Sequence, residues 1–324
     1  MHNPMMTIAT KDVADAGRER FAVVLAVFLS IAALTALVAG AIALATDVAT
    51  YDAAKASLLA LGKDPAKIRA PEFYPLRLLR GTIEQIEIVG SAIAILIGFR
   101  AAAAERGRQT LALILTRPLK RWQFAAGKLL AGLALLACGM AAIFVTCALG
   151  LEFLAGVGLG LNDLGRLAIV WGASVAYAMS FFLVSFMLTL RMRQTATALL
   201  VSFALWLLLV LIAPQIGDTM DPDNQVAGGV FKALSISRPD QLDIMKAYAG
   251  FETLRDGIEQ ASLTKHFERF SFAVLGIKAT FADQPLSTIM AEKALDLLWT
   301  LLAALGLGGL ALLLPIDPKI LTQE

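Results

Sequence analysis

The sequence predicts an all-α integral membrane protein with six transmembrane helices, and three observations carry that prediction. Of 324 residues, 58% are hydrophobic and only 17% are charged, whereas soluble domains run at roughly 45–50% and about 25%. The apolar residues gather in five uncharged runs, 21–46, 129–151, 167–190, 194–217 and 297–316. Each run holds about 20 residues or more, enough for a helix to cross a hydrocarbon core of roughly 30 Å. Finally, Lys and Arg are unequally shared among the polar segments between the runs.

Taken in order, residues 1–20 form a polar, amphipathic helical lead-in, and span one covers 21–46. That run is too long and too late for a cleavable leader. The 47–80 loop carries Pro65, Pro71 and Pro75. Span two, 81–99, reaches spanning length only by including Glu84 and Glu87. Three residues apart, they share a helix face, and near a helix end they reach the interface or the protein interior. A basic segment, 100–126, leads to span three, 127–151. A flexible turn with Gly156, Gly158 and Gly160 precedes span four, 164–190. A short link through Arg191 and Arg193 leads to span five, 194–217. Segment 218–295 opens with turn residues and then turns helical, with Leu242, Met245, Tyr248, Phe251, Leu254 and Ile258 on one face. Phe267, Phe270 and Phe272 pack over the spans or lie flat in the interface, and a helical cap and an interfacial helix both stay open. Span six covers 296–316, and 317–324 is a tail.

An even number of spans puts both termini on one side. With the termini inside, the inner segments hold thirteen Lys and Arg and the short outer ones seven, the long 218–295 segment being left out of the count. The termini are therefore expected in the cytoplasm, with 47–80 and 218–295 outside.

Chemistry is sparse. Gly127-Lys128 has Trp122 where a Walker loop needs glycine and Leu129 where it needs Ser or Thr. His2 and His266 have no neighbours at metal-ligand spacing. Cys138 and Cys147, nine apart, face opposite sides of one helix and read as small buried apolar residues. The middles of spans one, three, four, five and six lack the ionisable residues of an ion-coupled transporter. The chain is expected to be no enzyme, with no cofactor, no metal and no nucleic-acid partner, and to be powered from outside.

The segment from Arg100 to Lys128 holds seven Lys and Arg against one acid, Glu105. Ala101–Ala104 favour helix. Thr110–Leu115 is apolar, and Thr116-Arg117-Pro118 breaks it and starts a new helix. The residues alone leave two readings open: a helix lying on anionic headgroups, with membrane lipid as its partner, and a plug docking in a cytoplasmic protein.

The pattern Glu105, Thr110-Leu111, Thr116-x-Pro118, Arg121 and Gly127-Lys128 resembles the membrane subunits of ATP-binding-cassette transporters of the type-2, exporter-like class. Ile8-Ala9, Lys11-Asp12, Asp15, Arg18 and Arg20 resemble that family's amphipathic elbow helix. Arg238-Pro239-Asp240 and Gly250-Phe251-Glu252 resemble a region of permeases linked to multicopper-enzyme maturation, such as nitrous-oxide reductase. Gln109 departs from the family's usual glycine.

The resemblance implies a coupling helix between spans two and three that docks on a separate ATPase subunit, which binds ATP and Mg. It implies coupling residues Glu105, Arg106, Gly107, Thr110, Leu111, Leu115, Thr116, Pro118 and Arg121, and elbow residues Lys11, Asp12, Arg18 and Arg20. It further implies a homodimer of permease halves in a bacterial inner membrane, exporting a substrate or doing mechanical work, with a possible role for a periplasmic partner. A scaffold that recruits an outer partner through 218–295 and moves no solute is the alternative, and an ion channel a third reading.

Overall fold

A computed structural model describes residues 4–62, 74–107, 120–153, 158–220, 230–234, 236, 260–282 and 284–313, with scattered residues between 240 and 257. The described residues form an all-helical protein without strands. Among the described residues six helices are long and apolar enough to cross a membrane.

Helix α1, Pro4–Arg18, is the amphipathic lead-in. It ends through Arg20, whose φ of 55° is left-handed. A non-glycine residue tolerates that region at some cost, and here it turns the chain sharply from α1 into the next helix. Helix α2, Phe21–Ala60, has 40 residues, about 60 Å of helix against a hydrocarbon core of about 30 Å. The sequence places span one at 21–46 and a loop at 47–80; in the structure the helix runs on to Ala60. Asp47, Asp52 and Lys55 set the edge of the apolar run. They do not stop a helix, and neither Gly nor Pro intervenes before Gly62.

A 3-10 turn, Pro75–Leu79, leads into α3, which joins Arg80–Gln85, a π segment Ile86–Gly90 and Ser91–Gly107. Helix α4 is Arg121–Phe153 and α5 is Leu161–Arg191. The 100–126 segment is thus helical at both ends, running on from span two to Gly107 and into span three from Arg121. Helix α6 joins Thr195–Trp206, a second π segment Leu207–Ile212 and Ala213–Met220. After a single turn at Val230–Ala233 comes α7, Leu263–Val274, and after a second at Ala279–Ala282 come α8, Leu286–Glu292, and α9, Ala294–Leu313. Most of the apolar face expected from Leu242 to Ile258 lies outside the described residues.

Helix α5 is the centre. Its spanning window is 67% buried, against 17% for those of α2, α6 and α9. Phe182 explains how three helices close on one another. A Cβ on Gly98 of α3 would lie 2.3 Å from the Phe182 carbonyl oxygen, and one on Gly132 of α4 would lie 2.3 Å from the Phe182 ring. Glycine at both positions lets α3 and α4 seat against a single residue of α5. Trp171 of α5 adds an indole N–H to the Ala137 carbonyl at 3.0 Å.

Phe267, Phe270 and Phe272 of α7 are buried, so this part of 218–295 packs over the spans. Phe267 stacks on Tyr177 of α5 with centroids 4.6 Å apart. The Tyr177 hydroxyl donates to the Glu87 carbonyl at 3.1 Å and meets the Thr264 hydroxyl at 3.2 Å. Trp206 donates to the Ser91 hydroxyl at 2.8 Å, joining α6 to α3 beside both π segments. A π turn shifts the backbone hydrogen-bond register, and such insertions collect at sites of special geometry.

Candidate functional site

Glu105 and Lys128 stand 23 residues apart on either side of segment 108–119. The fold brings them together. Glu105 lies in the last turn of α3, Lys128 in the second turn of α4, and Lys128 Nζ donates to Glu105 Oε1 at 2.9 Å. Lys128 is 1% exposed and Glu105 4%. Asp12 of α1 completes the group, with its Oδ2 at 2.8 Å from Lys128 Nζ. Lys11 approaches Glu105 Oε1 at 3.3 Å. A lone buried ammonium would cost several kcal/mol, and two carboxylates around it offset that cost.

Local sequence explains the approach. Ala101–Ala104 keep the end of α3 slim. Gly127 gives α1 its seat, since a Cβ there would lie 2.8 Å from Ile8. Phe124, one turn before Lys128, places its ring 5.6 Å from the ammonium.

Arg106 turns the other way. Buried at 4% exposure, it donates to the carbonyl oxygens of Thr189 at 2.8 Å, Met192 at 2.6 Å and Arg193. These lie at the C-terminus of α5, where free carbonyls and the helix dipole favour a cation. Arg100 pairs with Glu19, tying α3 to the end of α1. The end of α3 is thereby fastened to α4, α1 and α5.

Of the residues expected to carry coupling, Glu105 and Arg106 are engaged inside the protein, Gly107 ends α3 and Arg121 begins α4. Thr110, Leu111, Leu115, Thr116 and Pro118 lie outside the described residues. Among the expected elbow residues, Lys11 and Asp12 join the ion-pair group, Arg18 is exposed in the last turn of α1, and Arg20 makes the left-handed link.

Sequence reasoning missed two contacts. A lysine at position 128, within an apolar helix, is the signal that a partner exists. Arg166 belongs to the seven Lys and Arg of the short outer segments. It is 6% exposed and donates to the carbonyls of Val274 at 2.9 Å and Gln284 at 2.8 Å. At that same end, His266 Nδ1 lies 2.7 Å from Asp296 Oδ1 and Nε2 lies 2.9 Å from the Gln260 carbonyl. Arg166 and His266 join α7 to α5 and α9.

Among the described residues no group of three or more His, Cys, Asp or Glu could hold a metal ion. A cavity of about 90 Å³ lies beside the ion pairs, between α1, α3, α4 and α5. The arrangement is mechanical: it fixes the helices flanking segment 108–119 to each other, to the lead-in helix and to the central helix.

Comparison with curated proteins yields no match. Residues 6–314 match the family model described as ABC-2 family transporter protein. That match runs from the lead-in helix to the end of the sixth span, and the chain belongs to the ABC-2 transporter family.

Proposed function

We propose that this ABC-transporter permease subunit takes its driving force from a separate cytoplasmic ATPase through the segment between Glu105 and Arg121. The observation that carries the reading is the Lys128–Glu105 ion pair, which closes the two helices flanking 108–119 into one brace. A push on that segment would pass directly into α3 and α4, and through Arg106 into α5. ATP and Mg bind the partner ATPase. The lead-in helix lies at the cytoplasmic surface of a bacterial inner membrane, both termini are cytoplasmic, and two copies of the chain form the translocation unit. The work is export or mechanical force. A role in periplasmic metalloenzyme maturation rests on the resemblance of Arg238-Pro239-Asp240 and Gly250-Phe251-Glu252.

Co-purification with a cytoplasmic ABC ATPase from the same cells tests the reading. Leu111→Asp with Leu115→Asp is the variant of choice, because Glu105 holds Lys128 and its replacement would damage the fold. The variant is expected to lose ATPase binding and permease-stimulated ATP hydrolysis while keeping its unfolding temperature. Intact binding and stimulation would sink the reading. A scaffold that moves no solute is the second reading, favoured by the buried Arg166 contacts that hold α7 in place. Removing 238–282 separates them: transport surviving in part fits a permease with a lid, and partner recruitment lost without any transport fits the scaffold.

A further inference from the structure

The cavity beside the ion pairs has a direction. Its lining includes charged Asp15 and Glu19 of α1 and Arg100 of α3, and apolar Ile97, Leu135 and Phe182. The charged group lies where the apolar spans begin, which marks that side as the mouth: Glu19 precedes α2 by two residues, and Arg100 follows the apolar part of α3. Leu135 lies seven residues beyond Lys128 on α4, roughly 10 Å further into the helix. Polar mouth to apolar floor therefore runs from the headgroup level into the hydrocarbon level. Ala101, Ala104 and Ala131 line the walls, and their small side chains leave the space open.

The charges select. Three cations, Lys11, Arg100 and Lys128, face four acids, Asp12, Asp15, Glu19 and Glu105. They engage one another, Arg100 with Glu19 and Lys128 with Asp12 and Glu105. A purely anionic ligand would meet an excess of carboxylates. A ligand carrying both signs a few bonds apart can exchange with these pairs, ammonium to acid and phosphate to guanidinium, without leaving a charge alone. Water fills polar space but gains nothing over Leu135 and Phe182. An amphiphile satisfies both parts.

We propose that this cavity binds the headgroup of a zwitterionic aminophospholipid. Its primary ammonium is directed to Asp15 and Glu19, its phosphate to Arg100, and the start of its acyl region to Leu135 and Phe182. The lipid would act as a removable wedge between α1 and the spans, making the seating of α1 sensitive to the surrounding lipid. The inference does not depend on the ATPase reading.

The test uses full-length protein in detergent micelles and native mass spectrometry with added phosphatidylethanolamine, phosphatidylglycerol or phosphatidylcholine, or soluble phosphoethanolamine. One phosphatidylethanolamine per chain is expected, bound about tenfold more tightly than phosphatidylglycerol, the equivalent of one charge-assisted contact. Phosphatidylcholine, whose quaternary ammonium has no N–H, is expected to bind more weakly. Ala104→Phe, which fills the mouth, should abolish the bound lipid. Asp15→Asn with Glu19→Gln, both at the mouth, should erase the preference over phosphatidylglycerol and serves if the phenylalanine variant does not fold. No retained lipid, equal binding of the two lipids, or equally tight binding of phosphoethanolamine alone would overturn the proposal. So would unchanged binding in a folded Ala104→Phe variant.

Discussion

Lys128 is the residue on which the α1 end of the bundle turns. Its ammonium has Glu105 at 2.9 Å and Asp12 at 2.8 Å, and almost none of it reaches solvent. Breaking a buried pair by removing one partner costs about 3–5 kcal/mol, because the other charge is stranded. Lys128→Ala is therefore expected to lower the unfolding temperature sharply, measured by thermal denaturation in detergent. Lys128→Met combined with Glu105→Gln should recover much of the loss, since the remaining Lys11 and Asp12, 3.9 Å apart, can balance one another. Glu87 poses the opposite case. It is 7% exposed, and among the described residues its Oε1 has no hydrogen-bond partner. Glu87→Gln keeps the shape and is expected to leave thermal stability unchanged or raised. A clear fall in that measurement would mean that the carboxylate itself is needed.

At the scale of elements, α5 is held at both ends by buried arginines from opposite directions. Arg106 of α3 grips its C-terminal carbonyls, and its own Arg166 grips the carbonyls of Val274 and Gln284. Charged hydrogen bonds contribute about 1.5–3 kcal/mol each. Arg166→Ala is expected to loosen α7, read as faster limited proteolysis between 262 and 282, with Arg166→Lys intermediate because an ammonium cannot span two carbonyls as a planar fork does. Gly98→Ala should destabilise the α3–α5 contact more than Gly132→Ala. The first new methyl meets a backbone carbonyl, which cannot swing aside, and the second meets the edge of a side chain. The spans were legible in the sequence because lipid demands unbroken apolar runs. Helix ends were not: α2 outlasts its apolar run by 14 residues, 47 to 60, since charge excludes a segment from lipid without excluding it from a helix. Nor was the Glu105–Lys128 pair legible, because the two residues stand 23 apart on different helices, a separation that no helical periodicity links. The family pattern placed both residues in one motif and left unsaid that they touch.

For the whole molecule, the prediction about Leu111 and Leu115 is one of transmission: severing the outer contact should stop ATPase stimulation while the bundle stays folded. What the bundle can do with a push follows from how unevenly it is packed. The windows of α3 and α5 are 56% and 67% buried, those of α2, α6 and α9 only 17%. Phe182 marks where the closest packing lies, with its carbonyl against Gly98 and its ring against Gly132. A ring lodged where even a methyl group would not fit holds α3, α4 and α5 closely against one another. If a push separates the bundle, it is expected to part first along α2, α6 and α9, whose outward faces lipid or a second copy would cover.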